Sequence, residues 1–164
     1  MEYNKRNLNG WAIGQRLFEW ILNNVPKEST ILELGSGRGT SELVKFYTVF
    51  SVEQDKRWVG REPKSNYIHA PLVSYGNNKW YDVNVMCNLL PEIYGLLLID
   101  GPKGKNRKNL IDHQHLFKHD GIPVVVDDTD RKWDKWLVDE LVHTWNKNIH
   151  LEIEDGRKKS TILL

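Results

Sequence analysis

The chain has 164 residues, 40 % of them hydrophobic and 27 % charged, with a formal net charge of +1. That length suits one domain over residues 1–164, and the composition is that of an ordinary globular protein rather than a disordered or fibrous one. A charge so close to zero argues against nucleic acid as the main partner, and no run approaches the roughly 20 apolar residues of a membrane span. The lone cysteine, Cys87, excludes an internal disulfide. Residues 1–25 lack the cationic start and apolar core of a secretory signal, which makes the cytoplasm the default compartment.

Residues 1–10 read as a loose polar segment. WAIGQRLFEWILNNV, 11–25, spaces Trp11, Ile13, Leu17, Trp20, Ile21 and Val25 as one face of a helix, and Pro26 ends it. Five short apolar runs follow, bounded by Gly, Pro, Asn or Asp: ILEL (31–34), TVFSVE (48–53), NYIHA (66–70), YGLLLID (94–100) and IPVVVDD (122–128). Runs apolar on both alternating faces are the mark of parallel strands covered on both sides. The intervals Ser41–Tyr47, Asp55–Arg61, Trp80–Leu90 and Asn109–Phe117 supply helical crossovers, and residues 131–145 repeat the helical pattern through Trp133, Leu137, Leu141 and Trp145. NIHLEIE, the turn Asp155-Gly156 and KKSTILL close the chain as a hairpin. The expected fold is α/β, a Rossmann-like doubly wound sheet.

In such a sheet ligands bind beyond the carboxyl ends of the strands. The first strand ends in Glu33-Leu34-Gly35-Ser36-Gly37-Arg38-Gly39-Thr40, whose glycines permit a tight turn and close approach of backbone N–H groups to a ligand. The second ends in Glu53, where a carboxylate can accept hydrogen bonds from both hydroxyls of a ribose, so a nucleoside is implied. The spacing G-x-G-x-G differs from the G-x-G-x-x-G of a dinucleotide site, and no P-loop is present.

ILELGSGRGT, with SVEQD, LLLIDGP and VVVDD after it, resembles the class I S-adenosylmethionine (SAM)-dependent methyltransferases over most of the chain from about Trp11. The resemblance implies a seven-stranded sheet of order 3-2-1-4-5-7-6 with the last strand antiparallel. It also implies that Glu33, Gly35, Ser36 and Gly37 lie against the methionine part of SAM and that Glu53 binds the ribose. Gln54 would then flank the adenine, His69 and Ala70 border it, and Asp100 stand beside the methyl group.

Asp100, Asp127 and Asp128 end adjacent strands and converge. Three unpaired carboxylates resist one another unless a proton or cation lies among them, and oxygen ligands favour Mg²⁺, Mn²⁺ or Ca²⁺. The arrangement resembles the divalent-metal-dependent O-methyltransferases of the catechol and macrolide-sugar types; Asp127-Asp128 departs from the catechol type's Asp-Asn and is closer to the sugar type. The plain reading is that Asp100 orients SAM or caps a turn and Asp127-Asp128 begins a loop. Lys103 stands at the offset of the catechol-type general base. Its run with Lys105, Arg107 and Lys108 also reads as a solvated face, or as a basic loop that recognises an acidic substrate. His113, His115 and His119 read as surface residues, with His113 a weaker candidate base.

The absence of Asn/Asp-Pro-Pro-aromatic and of a cysteine after Pro102 favours a small molecule or sugar over a nucleobase. The leading expectation is a metal-assisted small-molecule O-methyltransferase. The alternatives are a metal-independent SAM methyltransferase with another nucleophile or a nucleic-acid substrate, and a non-catalytic assembly domain. With almost no insertion, the pocket is open, or is completed by residues 1–16 or by the second subunit of a homodimer.

Overall fold

A computed structural model describes residues 13–164. The loose segment 1–10 and Trp11 lie outside the described residues. Helix α1, Gln15–Asn24, buries Leu17, Phe18 and Ile21 along one stripe and stops before Pro26. The strands β1 (Thr30–Leu34), β2 (Thr48–Glu53), β3 (Asn66–His69), β6 (Leu96–Ile99) and β7 (Val124–Val126) are the five apolar runs. β8 (Ile149–Asp155) and β9 (Lys158–Leu163) form the terminal hairpin.

These seven strands make one sheet, β3-β2-β1-β6-β7-β9-β8. Counting only its own strands, the order is the expected 3-2-1-4-5-7-6. β1, β2, β3, β6 and β7 pair in parallel, whereas β9 runs antiparallel to both β7 and β8. Alternation along each strand sends side chains to two separate cores. Leu97, Ile99, Val124 and Val126 face a cluster with Trp80, Leu110, Leu137 and Leu141, while Leu96, Leu98 and Val125 face Leu17, Phe18 and Ile21.

Three crossovers differ from the sequence reading. Trp80 and Tyr81 belong to a two-stranded hairpin, β4 (Leu72–Tyr75) with β5 (Asn78–Tyr81), and helix α3 occupies only Val83–Leu89. The Asp82 side chain accepts from the Asn84 N–H at 3.0 Å, which caps the helix there and leaves both aromatics in an extended segment that buries them. Residues 55–61 are turns instead of a helix, because Asp55 accepts from the Arg57 N–H and holds the Arg57 guanidinium at 2.6 Å. Residues 104–116 form a 3-10 helix, Gly104–Leu116, broken at His113 where φ is −123°.

His113 is accordingly packed, not exposed. It stacks on Trp80 at 5.9 Å and lies 4.5 Å from the Tyr75 ring, fastening the β4–β5 hairpin to the 3-10 helix. His119 stacks on Trp145 at 4.3 Å. Helix α2 (Arg38–Leu43) follows the glycine loop and α4 (Lys132–Thr144) precedes β8. Among the described residues no helix is long and apolar enough to cross a membrane.

Candidate active site

Parallel register sets four strand ends side by side: Leu34 pairs with Val52 and with Ile99, and Ile99 with Val126. The next residues of these strands, Gly35, Glu53, Asp100 and Asp127, therefore converge at one end of the sheet. A cleft of about 750 Å³ opens there, within the range of small-molecule sites.

The glycine loop forms one wall. Gly35 has φ +87°, and a Cβ on it would press the Asp100 carbonyl at 3.1 Å, so both conformation and space require glycine. Glu53 braces the loop: one carboxylate oxygen accepts from the Ser36 N–H (2.9 Å) and hydroxyl (3.1 Å), the other from the Asp55 N–H (2.8 Å). Ser36, Gly37, Glu53 and Gln54 line the cleft.

Glu33 is placed differently from expectation. It is 3 % exposed beneath the loop and accepts from the Ser51 and Thr40 hydroxyls at 2.5 and 2.6 Å, while Thr40 also accepts from the Gly37 N–H. Burial pushes its carboxyl up to about 7 against those two hydrogen bonds. It shapes the loop from below and does not line the cleft. Nor do His69 and Ala70, which sit behind Glu53 as its strand partner and as a donor to its carbonyl at 3.0 Å.

Asp100, Asp127 and Asp128 do converge: one oxygen from each lies within 4.8 Å of the others. Burial is the first cause, and neighbouring carboxylates a further one, that raises the Asp100 and Asp127 carboxyls above the ordinary range. Asp128 takes the left-handed conformation, φ 57°, which aspartate tolerates better than most residues.

A cation is already present in the protein. Arg107, expected at a solvated face, is 2 % exposed and donates to the Asp127 and Asp100 carbonyls at 2.9 and 2.7 Å. Its guanidinium pairs with Asp100 (3.2 Å), Asp128 (3.5 Å) and Asp134 of α4 (3.2 Å). Burial opposes its charge, but Asp100, Asp134, Asp128 and Asp127 together outweigh burial and hold it more basic than usual. Arg131 meets Asp128 at 3.0 Å, and Lys158 approaches Asp127 and Asp128 at 3.7 and 3.9 Å. Lys103 lies on the exposed side of the cleft.

Two buried atoms point to an occupant. The Tyr81 hydroxyl and Gln54 Oε1 line the cleft without a hydrogen bond. An unpaired buried polar atom costs about 1–3 kcal/mol, a cost that a ligand able to bond it removes. Burial, then the negative field of Glu53, raises the Tyr81 phenol well above its ordinary pKa, so it remains a neutral donor. Tyr81 and Arg107 escape sequence reasoning. The Gly76-Asn77 turn before Tyr81 is the signal that could have found the hairpin; nothing in the run 103–108 singles out its one buried cation.

The sheet order, the antiparallel final strand and the glycine loop after β1 together define the fold of the class I SAM-dependent methyltransferases. Solved structures share it. Fibrillarin from Aeropyrum pernix, with natively bound SAM, superposes with a TM-score of 0.60 at 14 % identity over 91 % of this chain and 74 % of its own. A Staphylococcus aureus protein assigned as a caffeoyl-CoA O-methyltransferase does so at 0.60 and 16 % identity over 90 % and 80 %. The ribosomal protein L11 methylase of Lactobacillus delbrueckii subsp. bulgaricus gives 0.60 and 12 % over 90 % and 75 %. At such identities the likeness concerns the fold. The sequence matches no family model and no curated protein.

Proposed function

We propose that this chain is a SAM-dependent methyltransferase acting on an oxygen of a small hydroxyl-bearing molecule such as a sugar. One observation carries the reading: a left-handed Gly35, the carboxylate of Glu53, the unsatisfied Gln54 and Tyr81 and the strand-end Asp100 border one cleft. SAM supplies a methyl group activated by a sulfonium. Gly35, Ser36 and Gly37 would cradle its amino-acid end, and Glu53 would exchange its bond to the Ser36 hydroxyl for ribose hydroxyls. Gln54 would meet the adenine edge, and Tyr81 and Asp100 would face the sulfonium end. Lys103 is the proposed base, taking the acceptor hydroxyl's proton at its Nζ.

The finer part of the proposal is a divalent cation, Mg²⁺ or a similar hard ion, at Asp100, Asp127 and Asp128. Their oxygens fit it in kind and spacing, and Asp127 Oδ2 makes no hydrogen bond. A cation there would hold the acceptor oxygen and lower its pKa. Arg107 supports a second reading, in which the guanidinium neutralises the acids and the transfer needs no metal.

The test is calorimetric titration of SAM with EDTA and then with excess Mg²⁺, using the wild type and Asp127→Asn. SAM binding in EDTA supports the cofactor site. A Mg²⁺ response of SAM or product binding that the variant loses supports the metal, and its absence favours the metal-free reading. Failure to bind SAM under either condition sinks the enzyme reading in favour of a non-catalytic domain.

A further inference from the structure

A second hollow of about 370 Å³ lies between the 3-10 helix and the tip of the β4–β5 hairpin. Asn78 and Lys79 of the tip face Lys105, Asn106, Lys108 and Asn109 across it. Among the described residues none of the three lysines forms a salt bridge with a carboxylate. The nearby acid, Asp112, accepts from the Asn78 amide at 3.3 Å and leaves the ammonium groups uncompensated.

The hollow is built on rigid walls. The Asn109 amide donates to the Lys79 carbonyl at 2.9 Å and ties the hairpin tip to the 3-10 helix, beside the His113 stack that fastens the same two elements. Lys108 is held over the Trp133 and Trp136 rings of α4 at 4.3 and 5.7 Å. A cation so placed keeps its charge and loses little freedom when it meets an anion.

We propose that this hollow binds a phosphoryl group carried by the methyl acceptor, an inference that rests on the methyltransferase reading above. Lys79 and Lys105, with the Lys108 cation nearby and the Asn77 and Asn106 amides, match an anion with three acceptor oxygens and up to two charges better than a carboxylate with two oxygens and one. Lys103 lines the cleft and Lys105 the hollow, and two residues separate Cα atoms by no more than about 7 Å. The cleft and the hollow thus share the short segment 103–108, and a phosphorylated acceptor would lie across it.

The experiment is calorimetric titration of the wild type and of the double variant Lys79→Ala/Lys105→Ala with pyrophosphate at low salt, with SAM titrated separately. Both side chains are exposed, so the variant should melt with the wild type, and Lys79→Arg/Lys105→Arg should retain binding. The expected result is pyrophosphate binding weakened at least tenfold in the alanine variant with SAM affinity unchanged. No pyrophosphate binding to the wild type, or equal binding to both proteins, overturns the site. A single-stranded oligonucleotide binding at least tenfold tighter than pyrophosphate, lost on adding salt, overturns the small acceptor in favour of a polynucleotide. Loss of SAM binding alone would strike the methyltransferase reading and leave the anion site standing, which keeps the two failures apart.

Discussion

The Tyr81 hydroxyl is buried, neutral and unbonded at the edge of the cleft, so its removal separates ligand contact from stability. Tyr81→Phe should leave the ligand-free protein at least as stable as wild type, by up to about 1–3 kcal/mol, while SAM binds about three- to tenfold more weakly. Calorimetry beside a melting curve reads both. Glu33 yields a pH signature. Its carboxyl titrates near 7 in the fold and near 4.5 when exposed, so between those values the folded state holds a proton that the unfolded chain has released. The contribution is full below about pH 4.5 and gone above about 7; stability falls with rising pH across that window, by at most about 3 kcal/mol. Urea unfolding at pH 5, 6, 7 and 8 should record the slope in wild type and a flatter one in Glu33→Gln. The glycines and Glu53 were legible because loop chemistry is local. Glu33 belonged to the same motif but turned inward, because Ser51 from the neighbouring strand and Thr40 from the following helix offer it hydrogen bonds beneath the loop.

One side chain of the 3-10 helix, that of Arg107, bonds at once to the ends of β6 and β7 and to α4. Arg107→Leu would leave Asp100, Asp128 and Asp134 facing one another without their shared partner, at a cost of about 3–5 kcal/mol in denaturant unfolding at pH 7.5. The penalty should shrink at pH 5. Burial already holds Asp134 near 6, and loss of the guanidinium raises these acids further, so protonation relieves the repulsion. Sequence reasoning brought the three strand-end acids together but missed Arg107 among them, because that cation arrives from a charged loop whose pattern reads as solvated. Burial of Arg107 is a tertiary property, fixed by acids on three other elements. The β4–β5 hairpin escaped for a related reason: Trp80-Tyr81-Asp82 sits beside a helical run, and only the Asp82 cap separates the two elements.

Among the described residues the sheet divides two separate cores. Leu97 and Leu98 are neighbours in the chain but face opposite sides, so Leu97→Ala and Leu98→Ala should each cost about 2–5 kcal/mol and add to within ~0.5 kcal/mol in the double variant. Chemical denaturation of the three proteins checks it. This architecture was the most legible part of the chain, since doubly covered strands must be apolar throughout and their runs announce themselves. Strand order itself has a consequence in time. β9 is the last of the seven strands to be synthesised, yet it belongs between β7 and β8. While residues 127–157 are being added, on the order of 2–6 s of translation, Val124–Val126 offers a bare apolar edge on the side away from β6. A ribosome stalled in that interval would display a five-stranded sheet with β7 as its open edge, ready to accept a strand from another nascent copy.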